Sequence, residues 1–171
     1  MNKVGATMGC IFIIVHKNKF QIYERTERYQ NELVRIKCED EFYLRHDDYS
    51  QAGQFLSAEI KDELNIKDYS KYAILFIYES MSVAEVVEFM STFQDAKQFQ
   101  QMTLGNALTL VTITKKIYDP NKALYVSYEN STYEIKLNQY RYFETRQNSV
   151  ASMYRFNAPE LISYLSGICA E

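Results

Sequence analysis

The chain has 171 residues, of which 47% are hydrophobic and 24% are charged, and its formal net charge is −3. This composition is that of a globular protein and excludes a disordered chain, while the negative charge disfavours a dedicated DNA-binding domain, which is usually basic. Aromatic residues make up 15% of the chain, with 15 Tyr, 10 Phe and no Trp. Because Tyr and Phe favour pleated, half-buried surfaces, we predict a tyrosine-rich β-sheet.

Cysteine usage and the apolar start of the chain bear on its compartment. Cys10, Cys38 and Cys169 form no Cys-x-x-Cys pair, so we expect neither a zinc site nor a disulfide framework. The apolar run 8–15 is too short to span a membrane, and no signal-peptide cleavage site follows it. We therefore predict a cytoplasmic protein without a membrane span.

The chain opens with the pattern of an antiparallel meander, in which runs of β-branched and aromatic residues alternate with turn residues. The predicted strands are 10–16, 20–26 and 33–38. The first is the most apolar of the three, which places it in the middle of the sheet.

A helix and a buried strand follow the meander. Leu56, Ile60 and Leu64 recur at helical spacing and predict a helix over 50–64, with Phe55 beside them. The run 72–78 is apolar throughout, which is typical of a strand buried on both faces.

A second helix is predicted to begin at Ser82. Ser82 and Glu85 form a capping box in front of an apolar stripe. The stripe predicted to face inward is Val83, Val86, Val87, Met90 and Phe93. The helix is expected to continue, with a break, towards Met102.

The second half of the chain predicts another strand meander and a last helix. Residues 104–106 read as a turn, the next segment is rich in β-branched residues, and a hairpin turns about Asn130-Ser131. The predicted strands are 107–118, 124–129, 132–137 and 140–145. Alternation places Tyr133, Ile135 and Leu137 inward, and Asn157 caps the last helix.

These elements predict an α+β fold: a single domain, 1–171, with a largely antiparallel or mixed β-sheet built from two strand meanders and packed by about three helices. Only 2 Pro and 5 Gly are present, and no Pro- or Gly-rich linker divides the chain. The order strand-strand-strand-helix-strand-helix of the first half resembles ribonuclease-H-like and actin-like folds.

That resemblance can be compared with the residues such folds use for chemistry. It implies a carboxylate on the first strand of a nuclease, and an acidic, Gly-containing turn after that strand in an ATPase, where phosphate binds. The strand 11–15 contains no acid, and the turn 16–19 contains neither acid nor Gly. A chain of this fold would therefore be a catalytically degenerate relative, acting as an adaptor.

No complete catalytic motif is present elsewhere in the sequence. The best catalytic candidate is His46 with Asp47 and Asp48, but one loop does not supply the converging groups that a base or a metal site needs. We therefore predict no catalytic, cofactor-binding or metal-binding residue, and enzymatic activity is the disfavoured alternative.

The preferred functional interpretation is a non-catalytic protein-binding module, an inhibitor or immunity-type protein that neutralises a basic toxin or nuclease by occlusion. Acidic clusters would steer a basic partner, and tyrosines would anchor it. The predicted partner-binding residues are Glu39, Asp40, Glu41, Asp47, Asp48, Tyr140 and Tyr142.

A second interpretation is single-stranded nucleic-acid binding by the C-terminal half, where basic residues alternate with aromatic ones. The basic residues that would contact phosphates are Lys115, Lys116, Lys136, Arg141, Arg146 and Arg155. The aromatic residues that would stack on bases are Tyr125, Tyr128, Tyr133, Tyr140, Tyr142, Phe143 and Tyr154. The negative net charge disfavours this interpretation, and an exposed tyrosine face is equally compatible with a homodimer.

Overall fold

The computed structural model describes residues 9–17, 19–27, 30, 32–36, 49–136, 139–142 and 154–169, of which 139–142 and 166–169 are described by their backbone alone. The chain divides into two compact units, 1–102 and 103–171. Each combines helices with a β-sheet, which confirms the α+β class. That the chain forms a single domain stays a prediction.

The first unit contains a five-stranded sheet and two helices within its described part. These elements are β1 (Gly9–His16), β2 (Lys19–Thr26), β3 (Leu33–Arg35), α1 (Tyr49–Leu64), β4 (Tyr72–Tyr78), α2 (Val83–Ser91) and β5 (Gln98–Thr103). The strand order is β3-β2-β1-β4-β5. β2 pairs antiparallel with β1 and β3, and β4 pairs parallel with β1. This arrangement confirms the resemblance to ribonuclease-H-like and actin-like folds.

β1 lies in the middle of the sheet, as its apolar sequence predicts. Ile11, Ile13 and Val15 are at most 1% exposed and belong to the core that also contains buried side chains of α1 and α2. Strand β4 is buried on both faces along most of its length. Two neighbouring strands with apolar side chains on both faces therefore form the centre of the unit.

Helices α1 and α2 pack closely together at Gly53. A Cβ atom at this position would lie 2.9 Å from Thr92 Oγ1 and 3.3 Å from the Phe89 ring. Glycine therefore allows a close approach of the two helices that any larger residue would oppose.

The capping box of α2 is confirmed, and its predicted inward stripe is confirmed at Val86, Met90 and Phe93 but wrong at Val83 and Val87. Val86, Phe89 and Phe93 are buried, whereas Val83 is 82% and Val87 is 58% exposed. The ring of Phe89 stacks on Phe76 of β4 at 4.4 Å between centroids. The larger aromatic side chains occupy the inward face because they bury more apolar area than valine does.

The strand predicted over 107–118 is a helix, α3 (Leu104–Thr114), and the segment predicted as the end of α2 is the strand β5. Thr103 caps α3, since its hydroxyl accepts a hydrogen bond from the Asn106 N–H at 3.1 Å. The hydroxyls of Thr109 and Thr114 donate to carbonyls one turn earlier, which lets these β-branched residues serve in a helix.

The second unit has a four-stranded sheet, whose strands follow α3 in the sequence, and a last helix. Its further elements are β6 (Leu124–Tyr128), β7 (Ser131–Lys136), β8 (Gln139–Tyr142), β9 (Tyr154–Phe156) and α4 (Ala158–Cys169). The strand order is β8-β7-β6-β9, with β7 antiparallel to β6 and β8, and β9 parallel to β6. The order and directions repeat those of β3-β2-β1-β4, and β9 was not predicted.

Details of the second unit confirm some predictions and correct others. Tyr133 and Ile135 are buried, as predicted, while Leu137 lies outside the described residues. The hairpin turns at Glu129 and Asn130, with φ of 46° and 70°, one residue earlier than predicted. The Glu160 N–H donates to Asn157 Oδ1 at 2.9 Å, which confirms the cap of α4.

Three further expectations can be compared with the described part of the chain. Four helices are present in the described part of the chain rather than about three, and none of them is long and apolar enough to cross a membrane. No disulfide framework was expected, and Cys10 is nevertheless disulfide-bonded.

Candidate functional site

The fold itself indicates where a ligand site would be expected. In open sheets with parallel strands, ligands bind outside the carboxyl ends of the strands, where the connections diverge to opposite sides. In the first unit this place is at the ends of the parallel pair β1 and β4, because β1 leads to β2 on one side and β4 neighbours β5 on the other. In the second unit it is at the ends of β6 and β9.

In the first unit, a glutamate side chain lies across the ends of β1 and β4. Lys17 follows β1 with a φ of 51°, and its N–H donates to Glu79 Oε1 at 3.2 Å. The same oxygen lies 4.0 Å from His16 Nε2. The side chains of His16 and Glu79 are only 7% and 15% exposed. The turn N–H that would face an anionic ligand therefore already binds a carboxylate of the chain.

At the N-terminus of α2, just beyond β4, N–H groups are likewise bound by side chains of the protein itself. Helix N-termini bind anions through their first N–H groups. Here the Ser82 N–H donates to Glu85 Oε1 at 2.8 Å, and the Glu85 N–H donates to Ser82 Oγ at 3.2 Å. The capping box thus supplies both the acceptor and the negative charge from within the helix.

The second unit has a carboxylate at the corresponding strand ends. Glu129 follows β6, and its Oε1 accepts a hydrogen bond from the N–H of Ala158, the first residue of α4, at 2.8 Å. The Glu129 N–H in turn donates to the carbonyl of Phe156, the last residue of β9, at 3.1 Å. As in the first unit, a glutamate joins the segments that follow two parallel strands.

These contacts decide what the strand ends can bind. A phosphate placed there would compete with Glu79 or Glu129 for the same N–H groups. It would also meet a like charge, and two such charges about 4 Å apart repel by about 4 kcal/mol at an effective dielectric constant of 20. The arrangement therefore opposes the binding of a nucleotide phosphate in either unit.

No metal centre emerges from the part of the chain that the structure describes. Within those residues no group of three His, Cys, Asp or Glu side chains is arranged to hold a metal ion. The cluster His46, Asp47 and Asp48 lies outside the described residues, so its role stays a prediction.

The predicted partner-binding residues are only partly placed. Glu39, Asp40, Glu41, Asp47 and Asp48 lie outside the described residues. Tyr140 and Tyr142 belong to β8 and pair with Ile135 and Tyr133 of β7, but their side chains are not described. Their assignment as one partner-binding site therefore stays a prediction.

Only some of the basic and aromatic residues predicted to bind a single strand are described in the second unit, and that interpretation stays a prediction. Tyr128 and Tyr133 are buried. Lys115 Nζ lies 5.4 Å from the ring centroid of Phe156 and 5.3 Å from that of Tyr164. This lysine therefore contacts aromatic rings of its own unit, and the two tyrosines are not available to stack on bases.

Sequence reasoning missed the two glutamates that close the strand ends. A weak signal was present for each, since Glu79 directly follows the apolar strand β4 and Glu129 directly follows β6. Acids at such positions are ordinary turn residues, however. Only the parallel pairing shows that their side chains reach the neighbouring strand end.

No protein-family model matches this chain, and no curated protein matches it. Among solved structures, it is similar to YeaZ from Pseudomonas aeruginosa, with 9% identity and a TM-score of 0.47 over 93% of this chain and 92% of that one. It is similar to a protein with an actin-like ATPase fold from Bacteroides thetaiotaomicron, with 11% identity and a TM-score of 0.37 over 98% of this chain and 78% of that one. It also resembles the Ppx/GppA phosphatase of Aquifex aeolicus, with 11% identity and a TM-score of 0.39 over 78% of this chain and 50% of that one.

The interpretation as an inhibitor or immunity-type protein is wrong. The strand order of both units is the one expected for an actin-like fold. The alternative of a catalytically degenerate member of a nuclease or ATPase fold is the better supported interpretation.

Proposed function

We propose that this chain is a catalytically degenerate module of actin-like topology that acts as an adaptor, by binding another protein rather than by turning over a nucleotide. One observation carries the proposal. In each unit, a glutamate of the chain binds the N–H group at the carboxyl end of the central parallel strands, through Glu79 in the first and Glu129 in the second.

Exposed apolar side chains support the binding role. Val83 is 82% and Val87 is 58% exposed, one turn apart on α2, and Phe55 of α1 is 52% exposed. Solvent-exposed aliphatic and aromatic residues on packed helices are typical of a surface that another protein covers. A module that retains a rigid fold while its ligand-binding strand ends are closed can present such a surface.

Isothermal titration calorimetry with Mg·ATP tests the first part of the proposal. We expect no saturable heat in the millimolar range, because a phosphate would have to displace Glu79 or Glu129. Stoichiometric binding with a Kd below about 1 mM, equivalent to about −4 kcal/mol, would contradict it. Inorganic phosphate serves as a second titrant, which separates binding of the phosphate groups from binding of the base.

A further inference from the structure

A shallow groove of about 520 Å³ runs along α1 of the first unit. Its lining residues lie on successive turns of the helix and just beyond its end: Phe55, Ala58, Glu59, Lys61, Asp62, Asn65 and Ile66. The distance along the axis from Phe55 to the helix end at Leu64 is about 14 Å, at 1.5 Å per residue. An elongated, open groove of this length suits a partner helix better than a compact small molecule.

The groove combines an apolar part with carboxylates. Phe55 is half exposed, and Ile66 packs on the hydrophobic core from its edge. Glu59 and Asp62 supply negative charge. The one lysine of the lining, Lys61, holds its Nζ 5.2 Å from the ring centroid of Tyr69, which draws its ammonium towards that ring.

In the described structure, one carboxylate oxygen of Glu59 lacks a hydrogen-bond donor. Its Oε2 atom is buried and has no hydrogen-bond partner. A buried carboxylate oxygen without a donor is unfavourable, and a native protein usually satisfies such an atom with water or with a ligand group. A guanidinium group is the side chain best suited to do so, because it donates two parallel hydrogen bonds to a carboxylate.

We infer that this groove binds a basic amphipathic helix of the protein partner, with an arginine on Glu59 and apolar side chains on Phe55 and Ile66. The inference rests on the proposed adaptor function and names the chemistry of the partner. A turn of the Glu59 carboxylate towards the groove brings Oε2 to the incoming donor. Asp62, one turn further along α1, adds attraction for a second basic residue.

The test uses a designed peptide and the intact chain. The probe is a helix-forming peptide of about 18 residues, composed of Ala, Leu and Arg with a single Trp, whose Leu and Arg side chains lie on one face. Because the protein contains no Trp, the fluorescence of the peptide reports binding without interference. A second peptide with Glu in place of every Arg is the control for charge.

We expect the basic peptide to bind and the acidic peptide not to bind. Glu59→Gln should weaken the basic peptide about tenfold, since a hydrogen bond between charged groups is lost, while the unfolding temperature stays the same or rises. Phe55→Ala should weaken it through the apolar contact. Glu63→Gln, on the same helix but exposed and outside the groove, removes the same charge and should leave the affinity unchanged.

Three results would overturn the inference: equal binding of both peptides, equal affinity of wild type and Glu59→Gln, or an equal loss in Glu63→Gln. A concentration-dependent dimer that Glu59→Gln abolishes would also overturn it, by assigning the groove to a second copy of the chain. If the basic peptide does not bind, the inference about the groove is overturned. The calorimetry with Mg·ATP tests the strand ends independently, so the proposed function can hold when the inference fails.

Discussion

At the scale of single residues, Glu79 accepts the N–H group at the carboxyl ends of β1 and β4 in the first unit. Its carboxylate accepts the Lys17 N–H at 3.2 Å and lies 4.0 Å from His16 Nε2. It joins residues 62 positions apart in the sequence. The side chain therefore stabilises the turn after β1, and we propose that it also opposes the binding of an anion there.

Replacement of Glu79 should be measurably destabilising. We expect Glu79→Ala to lower the free energy of unfolding by about 1 kcal/mol, because the Lys17 N–H loses its acceptor. Urea denaturation measures this change. The matched control is Glu88→Ala, an exposed position on α2, which should change the free energy of unfolding by less than about 0.5 kcal/mol. Equal effects of both substitutions would contradict the role given to Glu79.

Tyr69 is a second residue with a testable property. Burial raises its pKa above the ordinary value near 10, a side-chain hydrogen bond with Ser57 opposes this rise in part, and the nearby Asp95 adds to it. Burial also raises the pKa of Tyr49, with Glu85 adding to the effect. Both phenols therefore keep their protons to a higher pH in the folded chain than in the unfolded chain.

This difference predicts a loss of stability in alkali. Above about pH 10 the unfolded state binds fewer protons than the folded state, so the free energy of unfolding falls as pH rises towards the folded pKa. Below pH 10 the contribution is fully present. Urea denaturation from about pH 8 to about pH 11 should show a steeper fall for wild type than for Tyr69→Phe. Identical slopes would argue against a raised pKa of Tyr69.

At the scale of elements, the contact between α1 and α2 depends on Gly53. Alanine is the better helix former, yet its Cβ would lie 2.9 Å from Thr92 Oγ1. We expect Gly53→Ala to destabilise the chain by about 1–3 kcal/mol through overpacking, measured by urea denaturation. Adding Thr92→Ala removes the opposing atoms and should restore part of the loss. A more stable Gly53→Ala chain, or a double variant with purely additive effects, would contradict this packing.

The elements also show where sequence reasoning succeeds. The apolar strands β1 and β4 and the capping box at Ser82 were predictable, because each has a local cause in burial or in side-chain hydrogen bonding. α3 was not predictable from its β-branched residues. It forms because Thr103 caps it and Leu104, Leu108 and Val111 present a buried stripe, so tertiary packing overrides propensity.

The face of α2 shows a related limit. Val83 and Val86 are the same type of residue, yet the first is 82% and the second 3% exposed. The position of the Phe89 ring against Phe76 decides the rotation of the helix. That ring contact joins α2 to a separate strand, so the periodicity of the α2 segment by itself did not contain it.

At the scale of the whole molecule, the second unit repeats the strand order and directions of the first, and both close their strand ends with glutamate. The absence of an acid and a glycine from the turn after β1 was readable from sequence. The hydrogen bonds of Glu79 and Glu129 at the strand ends could not be predicted from the sequence, because they join residues 62 and 29 positions apart. Such contacts exist only once the parallel strands have paired.

The closed strand ends are tested most directly by following the amide groups of Lys17 and Ala158 in ¹⁵N–¹H correlation spectra while Mg·ATP is added. Both N–H groups donate to glutamate in the structure, so their chemical shifts should stay constant through the titration. Saturable shifts of either amide, with the same midpoint as the shifts of its neighbours, would show that phosphate binds at the strand ends. That result would contradict the proposal that glutamate closes them.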